Sequence, residues 1–268
     1  MISFPHAKIN LGLSILSKRP DGYHNLETIF YPLPIRDVLE IVPAEESRFF
    51  PTGLDIPGKS GENLVLQAYH LLKNKFSQIK PLGIHLHKAI PMGAGLGGGS
   101  SDAAEILQLI NLYFDLRISY SALNEFALEL GSDCPFFIQS QPCFASGRGE
   151  ILEPVSLDLS MYSFLLIHPE IRIETVWAFS KIKTSSLTYE LKKSILNPIQ
   201  NWKNSIFNDF ELPVFELHPS LQKIKEKLYA AGAVYASMTG SGSTIFGIFN
   251  KSALPAIGVE NATQTFIC

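Results

Sequence analysis

Five glycines fall between Gly93 and Gly99, in the run Pro91-Met92-Gly93-Ala94-Gly95-Leu96-Gly97-Gly98-Gly99-Ser100-Ser101-Asp102-Ala103-Ala104. Glycine lets backbone N–H groups come close to a ligand and takes up positive φ, which other residues avoid. After Ser101 the pattern turns helical, with Ala103, Ala104, Ile106, Leu107, Leu109 and Ile110 around a thin polar line at Glu105, Gln108 and Asn111. A glycine loop that feeds a helix N-terminus favours anions, because unpaired N–H groups and the helix dipole both attract negative charge. The ligand this predicts is the phosphate chain of a nucleotide.

Two familiar phosphate loops do not fit. Gly93, Gly95 and Gly98 satisfy G-x-G-x-x-G, but a dinucleotide fold wants a strand running straight into the loop and an acidic residue closing the next strand. Pro91 interrupts the lead-in, and Asp115 stands at the end of the helix instead. A Walker A loop ends in Gly-Lys-Ser/Thr, and this run has no lysine. A flexible linker is disfavoured by the buried-looking helix that starts at once and by Ser-Ser-Asp at its cap. The run resembles, residue by residue, the phosphate loop of the GHMP kinase superfamily, P-x-x-x-G-L-G-[GS]-[GS]-S-[SA]. The resemblance implies ATP as cosubstrate, bound by Pro91, Met92, Gly93, Ala94, Gly95, Leu96, Gly97, Gly98, Gly99, Ser100 and Ser101. It also implies Mg2+, which either Ser100 or Ser101 could reach, Ser101 being taken as the ligand.

The rest of the composition agrees with a catalytic domain. The 268 residues are 46% hydrophobic and 18% charged, enough for two modest domains or one large one. A net charge of −3 argues against nucleic acid or an anionic membrane as partner. Cys134, Cys143 and Cys268 have no metal-ligand spacing, so reduced thiols in a cytoplasmic protein are expected. Neither a basic leader nor an apolar run of membrane length stands out.

From Lys8 to Ile15 the alternation is strict, with Ile9, Leu11, Leu13 and Ile15 on one face and Lys8, Asn10, Gly12 and Ser14 on the other. This predicts a half-buried strand that sets Lys8 and Asn10 side by side. Arg19-Pro20-Asp21-Gly22-Tyr23-His24 follows, a turn with fixed φ at Pro, an Asx side-chain bond and a free glycine, presenting Tyr23 and His24 at its exit. Ala7-Lys8-Ile9-Asn10-Leu11 and Asp21-Gly22-Tyr23-His24 resemble one branch of the superfamily, whose acceptor alcohol carries a cytidine diphosphate and which serves isoprenoid biosynthesis. That resemblance implies that Lys8 and Asn10 line the active site, that Tyr23 stacks on the cytosine and that His24 hydrogen-bonds it. An aromatic face suits a nucleobase, and imidazole offers a donor and an acceptor.

Leu26 to Tyr31 and Val38 to Val42 read as strands, with Pro32 and Pro34 marking the turn between them. A helix is expected from Glu62-Asn63-Leu64 to about Lys75, and the resemblance sets Asn63 near the adenine. His85 and His87 alternate along a strand with no third ligand nearby, which predicts an outer face and not a metal pair. Ser121 to Leu130 reads as a helix capped by Gly131. In Ser132-Asp133-Cys134-Pro135-Phe136-Phe137, Pro135 pushes Cys134 out of the helical region, so Asp133 is expected in a tight turn. Gly-x-Asp-x-Pro-[FV]-F resembles the superfamily segment that carries the catalytic aspartate. A lysine close by would hold that carboxylate ionised and ready to accept a hydroxyl proton, which makes Lys8 and Asp133 the expected catalytic pair.

Beyond Gly149 the pattern changes. Tyr162 to Ile167 reads as the first strand of a second domain, giving domains at 1–155 and 156–268. The resemblance implies that Thr175 contacts the acceptor and that Phe179 closes the other face of the cytosine. Lys181 to Thr188 is expected to be a polar loop, followed by helix to near Trp202. A helix begins at Asn208-Asp209-Phe210-Glu211, and another runs from Pro219 to Gly232. Strands are expected from Ala233 to Met238 and from Thr244 to Phe249. Between them Thr239-Gly240-Ser241-Gly242-Ser243 resembles the third glycine motif, backing onto the phosphate loop. The last helix of the family looks reduced to a turn around Leu254 and Ile257.

Taken together the resemblance implies an α+β, two-domain GHMP kinase fold. Its N-terminal domain would be ribosomal-protein-S5-domain-2-like and its C-terminal domain ferredoxin-like, in a cytoplasmic monomer or weak homodimer. A kinase for a mevalonate- or homoserine-like acceptor is disfavoured by Asp-Gly-Tyr-His, since those substrates carry no base to stack. A sensor that has lost catalysis is disfavoured by intact Lys8 and Asp133.

Overall fold

The computed structural model describes residues 1–58, 61, 63–182, 190–251 and 262–267, the last six by backbone alone. In chain order the elements are β1 (Ile2–Ser3), β2 (His6–Lys18), β3 (His24–Arg36), β4 (Val38–Pro43), β5 (Arg48–Gly53), α1 (Leu64–Lys75), β6 (Leu82–Lys88), α2 (Gly98–Tyr113), α3 (Tyr120–Leu130) and α4 (Cys134–Gln139). There follow β7 (Cys143–Ser146), β8 (Ile151–Pro154), β9 (Tyr162–Pro169), α5 (Thr175–Lys181), α6 (Leu191–Ser194), a 3-10 turn (Ile199–Asn204), α7 (Glu211–Leu217), α8 (Pro219–Ala230), β10 (Tyr235–Met238), β11 (Ile245–Asn250) and β12 (Ala262–Ile267). The class is α+β, as expected.

Contacts group the chain into two compact units that interleave in sequence: Met1–Lys8, Pro32–Met92 and Gly97–Gln141 in the first, Ile9–Tyr31, Gly93–Leu96 and Pro142–Cys268 in the second. In the first unit a sheet of order β1-β4-β6-β5 is antiparallel except for the β5–β6 pair. Its helices pack on one another, α1 against α2 and α2 and α3 against α4. Burial of Val65, Leu72, Ala103, Ile106, Leu107 and Ile110 fits the helical spacing of apolar residues in both long helices. In the second unit β10-β11-β9-β12 is wholly antiparallel. Leu165, Ile167, Met238 and Ile245 from that sheet share a core with Phe210, Val214, Leu221, Ile224 and Leu228 from the helical segments. A third sheet has the order β2-β3-β7-β8.

Several local expectations are corrected. β2 is buried on both faces from Ala7 to Ser14, not on one, so Lys8 and Asn10 are interior residues. Strict alternation tells which residues share a face, but not whether the polar face is covered. β3 runs through Pro32 and Pro34 where a turn was expected. Its ladder with β7 covers only Thr28 to Phe30, so the missing proline N–H groups cost nothing there. The long helix starts at Gly98, five residues before the first apolar residue of its pattern, Ala103, because its first turn is glycine and serine.

Cys134 is helical: Pro135 falls in the first turn of α4, where a proline removes no intrahelical bond. Gly131 caps α3 as expected, in an extended conformation. The helix expected up to Trp202 is broken at Pro198 into α6 and the 3-10 turn. A strand, β12, ends the described chain. Residues 183–189, which take in most of the polar loop expected from Lys181 to Thr188, lie outside the described residues, as do Glu62, Leu254, Ile257 and Cys268.

His85 stacks on Phe50 with ring centroids 4.5 Å apart, and His87 Nδ1 lies 3.0 Å from Thr52 Oγ1. Among the described residues no three His, Cys, Asp or Glu side chains converge as a metal site. Cys134 and Cys143 are free and buried, and burial pushes both thiols up to about 12. No helix among the described residues is long and apolar enough to cross a membrane.

Candidate active site

β2 delivers Lys8 and the start of α4 delivers Asp133. Lys8 Nζ stands 3.3 Å from Asp133 Oδ2, with the lysine side chain 4% exposed and the aspartate 36%. The ammonium is buried while the carboxylate it pairs with stays reachable from solvent. Asp133 is the N-cap of α4 with helical φ, and its side chain makes no capping bond there. Gly97 adjoins the pair. It caps α2 at φ +71, and a Cβ there would lie 2.7 Å from Phe137 Cζ and 3.1 Å from Lys8 Cε and Cγ. Only glycine serves, for its conformation and for lack of space. The amides that open α2 receive no side-chain cap, which leaves them available to an anion.

Gly93 to Leu96, the tip of the loop, packs in the second unit against the third glycine motif. A Cβ on Gly95 would lie 2.1 Å from Thr239 O, and one on Gly240 would lie 3.2 Å from Gly95 Cα. Thr239 Oγ1 lies 3.0 Å from Gly95 O, and Thr244 N–H donates to Ala94 O at 3.4 Å. Asn10 belongs to the same knot. Its N–H donates to Thr239 Oγ1 at 3.1 Å, and its Nδ2 donates to Thr28 Oγ1 at 2.9 Å. Thr175 Oγ1 is 3.1 Å from Ser241 Oγ, joining the start of α5 to this motif. Gly242 lies against Met238, whose Sδ would be 2.8 Å from an added Cβ.

His24 and Phe179 come together in the second unit, while the Tyr23 ring meets Arg148. His24 stacks on Phe179 at 4.8 Å and 18°, and Phe210 meets Phe179 edge-on at 4.9 Å. Tyr23 is 52% exposed and carries the Arg148 guanidinium over its ring, 4.4 Å from the centroid. Desolvation, and then the Lys18 charge, lower the His24 pKa, so the imidazole is neutral at pH 7 and holds one donor and one acceptor. Asn63 serves locally: its Oδ1 accepts from Val65 N at 2.9 Å as the N-cap of α1.

Two features were not legible. In the first unit Lys88 Nζ, fully buried, donates to Asp37 Oδ2 and lies 2.7 Å from Asp102 Oδ2. Asp37 Oδ1 also accepts the N–H groups of Ala89 and Ile90, at 2.6 and 2.8 Å. Burial raises Asp102 to about 7; attraction to Lys88, the next largest influence, opposes the rise, and repulsion from Asp37 adds to it. Asp102 looked like a cap residue in sequence, and its partners lie far from it along the chain. The other is Arg148 on Tyr23, again a long-range pairing, of which the glycines either side of Arg148 were the only local signal.

Models of the GHMP kinase N-terminal and C-terminal domains match residues 63–141 and 190–266. The 4-diphosphocytidyl-2-C-methyl-D-erythritol kinase of Cytophaga hutchinsonii is 49% identical over 100% of this chain and 98% of its own. The kinase of that name from Bacteroides fragilis is 50% identical over 93% and 92%. A crystal structure of 4-(cytidine 5'-diphospho)-2C-methyl-D-erythritol kinase superposes with a TM-score of 0.80 at 32% identity, covering 92% of this chain and 90% of that one. Mevalonate kinase of Methanococcus jannaschii shares the fold at a TM-score of 0.71 and 15% identity. The chain belongs to the GHMP kinases, a family of ATP-dependent small-molecule kinases.

Proposed function

We infer that this protein transfers the γ-phosphoryl group of ATP to the 2-hydroxyl of 4-diphosphocytidyl-2-C-methyl-D-erythritol, in the non-mevalonate route to isoprenoids. The observation that carries this reading is the Lys8–Asp133 pair at 3.3 Å, set against Gly97 where the glycine loop turns into α2. Asp133 accepts the proton of the attacking hydroxyl, and Lys8 pairs with it. Pro91 to Ser101 bind ATP through backbone amides, with Asn63 at the adenine end. Open space beside Gly93, where an added Cβ would meet nothing within 4 Å, fits the approach of phosphate. Ser101 would hold Mg2+. A hydroxyl is a hard oxygen donor suited to that ion, whose charge offsets that of the phosphates.

Tyr23, His24 and Phe179 hold the cytosine, and Asn10 and Thr175 position the acceptor, with Gly240, Ser241 and Gly242 behind the phosphate loop. A base that stacks on Phe179 takes the place His24 now holds, and the displaced imidazole reads the base edge. The two kinase domains are residues 1–155 and 156–268. The protein acts in the cytoplasm as a monomer or weak homodimer, with no nucleic-acid or membrane partner.

The test is an ADP-release assay on the purified protein with four alcohols: the cytidylylated acceptor, methylerythritol phosphate, mevalonate and homoserine. Turnover is expected with the first alone. Comparable turnover with any of the other three removes the cytidine pocket from the reading and leaves a GHMP kinase with another acceptor.

A further inference from the structure

Tyr23 is unusual among the exposed aromatics because its position is fixed from two sides. Its N–H donates to Asp21 Oδ1 at 3.1 Å, and its carbonyl accepts Arg19 N–H at 2.8 Å, so the Pro-Asp-Gly turn holds its backbone. The Arg19–Asp21 ion pair, 3.0 Å long, holds that turn in shape. The ring itself is covered on one face by Arg148. Arg148 is in turn tied down: Glu150 Oε2 accepts its backbone N–H at 2.5 Å, and Glu150 Oε1 lies 3.8 Å from its Nε. The turn that carries Arg148 is closed by Gly149 N–H donating to Ser146 O at 3.0 Å and joined to β3 by Leu26 N–H donating to Gly147 O at 2.8 Å.

An arginine offered to a charged ligand would be expected to keep its guanidinium clear of carboxylates. Here Glu150 already balances the charge, and the plane of the guanidinium is spent on the tyrosine. A half-exposed tyrosine without such a partner samples several rotamers, and a ligand that needs one of them must bear the cost of ordering it. A ring held by a stacked guanidinium is preorganised. We propose that Arg148 is a specificity-determining positioning residue, which clamps the Tyr23 ring from one face so that its other face is ready for the flat base of the acceptor. Arg148 touches no reacting atom and acts only through Tyr23. This rests on the reading that Tyr23 stacks on the acceptor's base.

The experiment measures KM and kcat for the cytidylylated acceptor and KM for ATP in wild type, Arg148→Gln, Arg148→Lys, Tyr23→Ala and the Arg148→Gln/Tyr23→Ala double variant. Melting curves are recorded for each. Arg148→Gln is expected to raise the acceptor KM about three- to tenfold, with kcat and the ATP KM within about twofold. Arg148→Lys, which can still lie over the ring, is expected to recover part of the loss. In the Tyr23→Ala background Arg148→Gln is expected to add less than a twofold change, because there is no ring left to hold. A multiplicative double variant overturns the proposal, since Arg148 would then contact the acceptor itself. An unchanged acceptor KM in Arg148→Gln, beside a raised one in Tyr23→Ala, overturns the clamp and leaves base stacking standing. No effect of Tyr23→Ala overturns both.

Discussion

A carboxylate serves as a general base only where it is charged, close to its proton and not consumed by other bonds. Asp133 has a buried lysine 3.3 Å away and no capping bond of its own. Asp133→Asn keeps the shape and removes the proton acceptor, so kcat is expected to fall about 10²- to 10⁴-fold with ATP binding intact. Near-normal turnover in the purified variant takes Asp133 out of the chemistry. Lys8→Met should be comparably damaging, and the double variant should lose much less than the product of the two, as residues acting as one unit do. The cytosine side has its own signature. Phe179→Ala deletes a stacking face worth about 1–3 kcal/mol per base in nucleic-acid-binding proteins, so the acceptor KM should rise roughly ten- to a hundredfold. Its ATP KM should hardly move, and an equal rise in both would point to a damaged fold instead. The residue types at these positions were readable because each carries its chemistry in a short motif, but Asn10 shows the limit. Alternation put it beside Lys8, yet its role in joining Thr28 to Thr239 depends on a residue 229 positions away.

At the scale of elements, the loop and the helix it starts form the part with least tolerance. Gly97→Ala puts a methyl group 2.7 Å from Phe137 Cζ and 3.1 Å from the Lys8 side chain in a left-handed conformation. The variant should lose about 1–3 kcal/mol of stability, and should also lose activity because Lys8 must move. A denaturant curve and a kcat measurement together check this, and an unchanged pair of values shows that the loop yields easily. Beneath the helix, Lys88 faces two aspartates, so one negative charge is buried in excess when both are ionised. Asp102, raised to about 7, binds its proton more tightly folded than unfolded. Its contribution to stability is full below the unfolded value near 4 and is lost as pH rises through about 7. Asp102→Asn keeps the Lys88–Asp37 pair and removes that titration. The variant should gain on wild type by on the order of 1–3 kcal/mol between pH 6 and pH 8.5. Parallel stability profiles for the two proteins across that range would sink the assignment.

At the scale of the whole molecule, what the sequence made legible was local. The glycine run, the Asp-Gly-Tyr-His turn, the helix from Leu64 to Lys75 and the outer face of His85 and His87 all rest on neighbours within a few residues. The misreadings arise where distant chain decides the matter. β2 is buried on its polar face because Asp133, Thr28 and Thr239 reach it from elsewhere, and β3 passes two prolines because its ladder with β7 ends before them. β12 pairs with β9 across nearly a hundred residues and has no local signal strong enough to foretell it. The interleaving of the two units follows the same rule, since β2, β3 and the phosphate loop each pass from one unit into the other. Binding at such a loop should therefore register in the stability of the whole chain. A ligand at about 100 times its Kd adds about 2.7 kcal/mol to a protein that binds it only when folded. For a chain of this size each kcal/mol moves Tm by about 2–4 °C, so saturating ATP with magnesium should raise Tm by roughly 5–10 °C. Asp133→Asn should keep that shift while losing turnover, because in the proposed mechanism the carboxylate meets the acceptor and not the nucleotide. Gly97→Val should lose most of it, because its branched side chain crowds both the amides that open α2 and Lys8. Differential scanning fluorimetry on the three proteins over a range of ATP concentrations separates these outcomes. A full shift in Gly97→Val, or none in wild type at millimolar ATP, would show that the glycine loop does not hold the nucleotide.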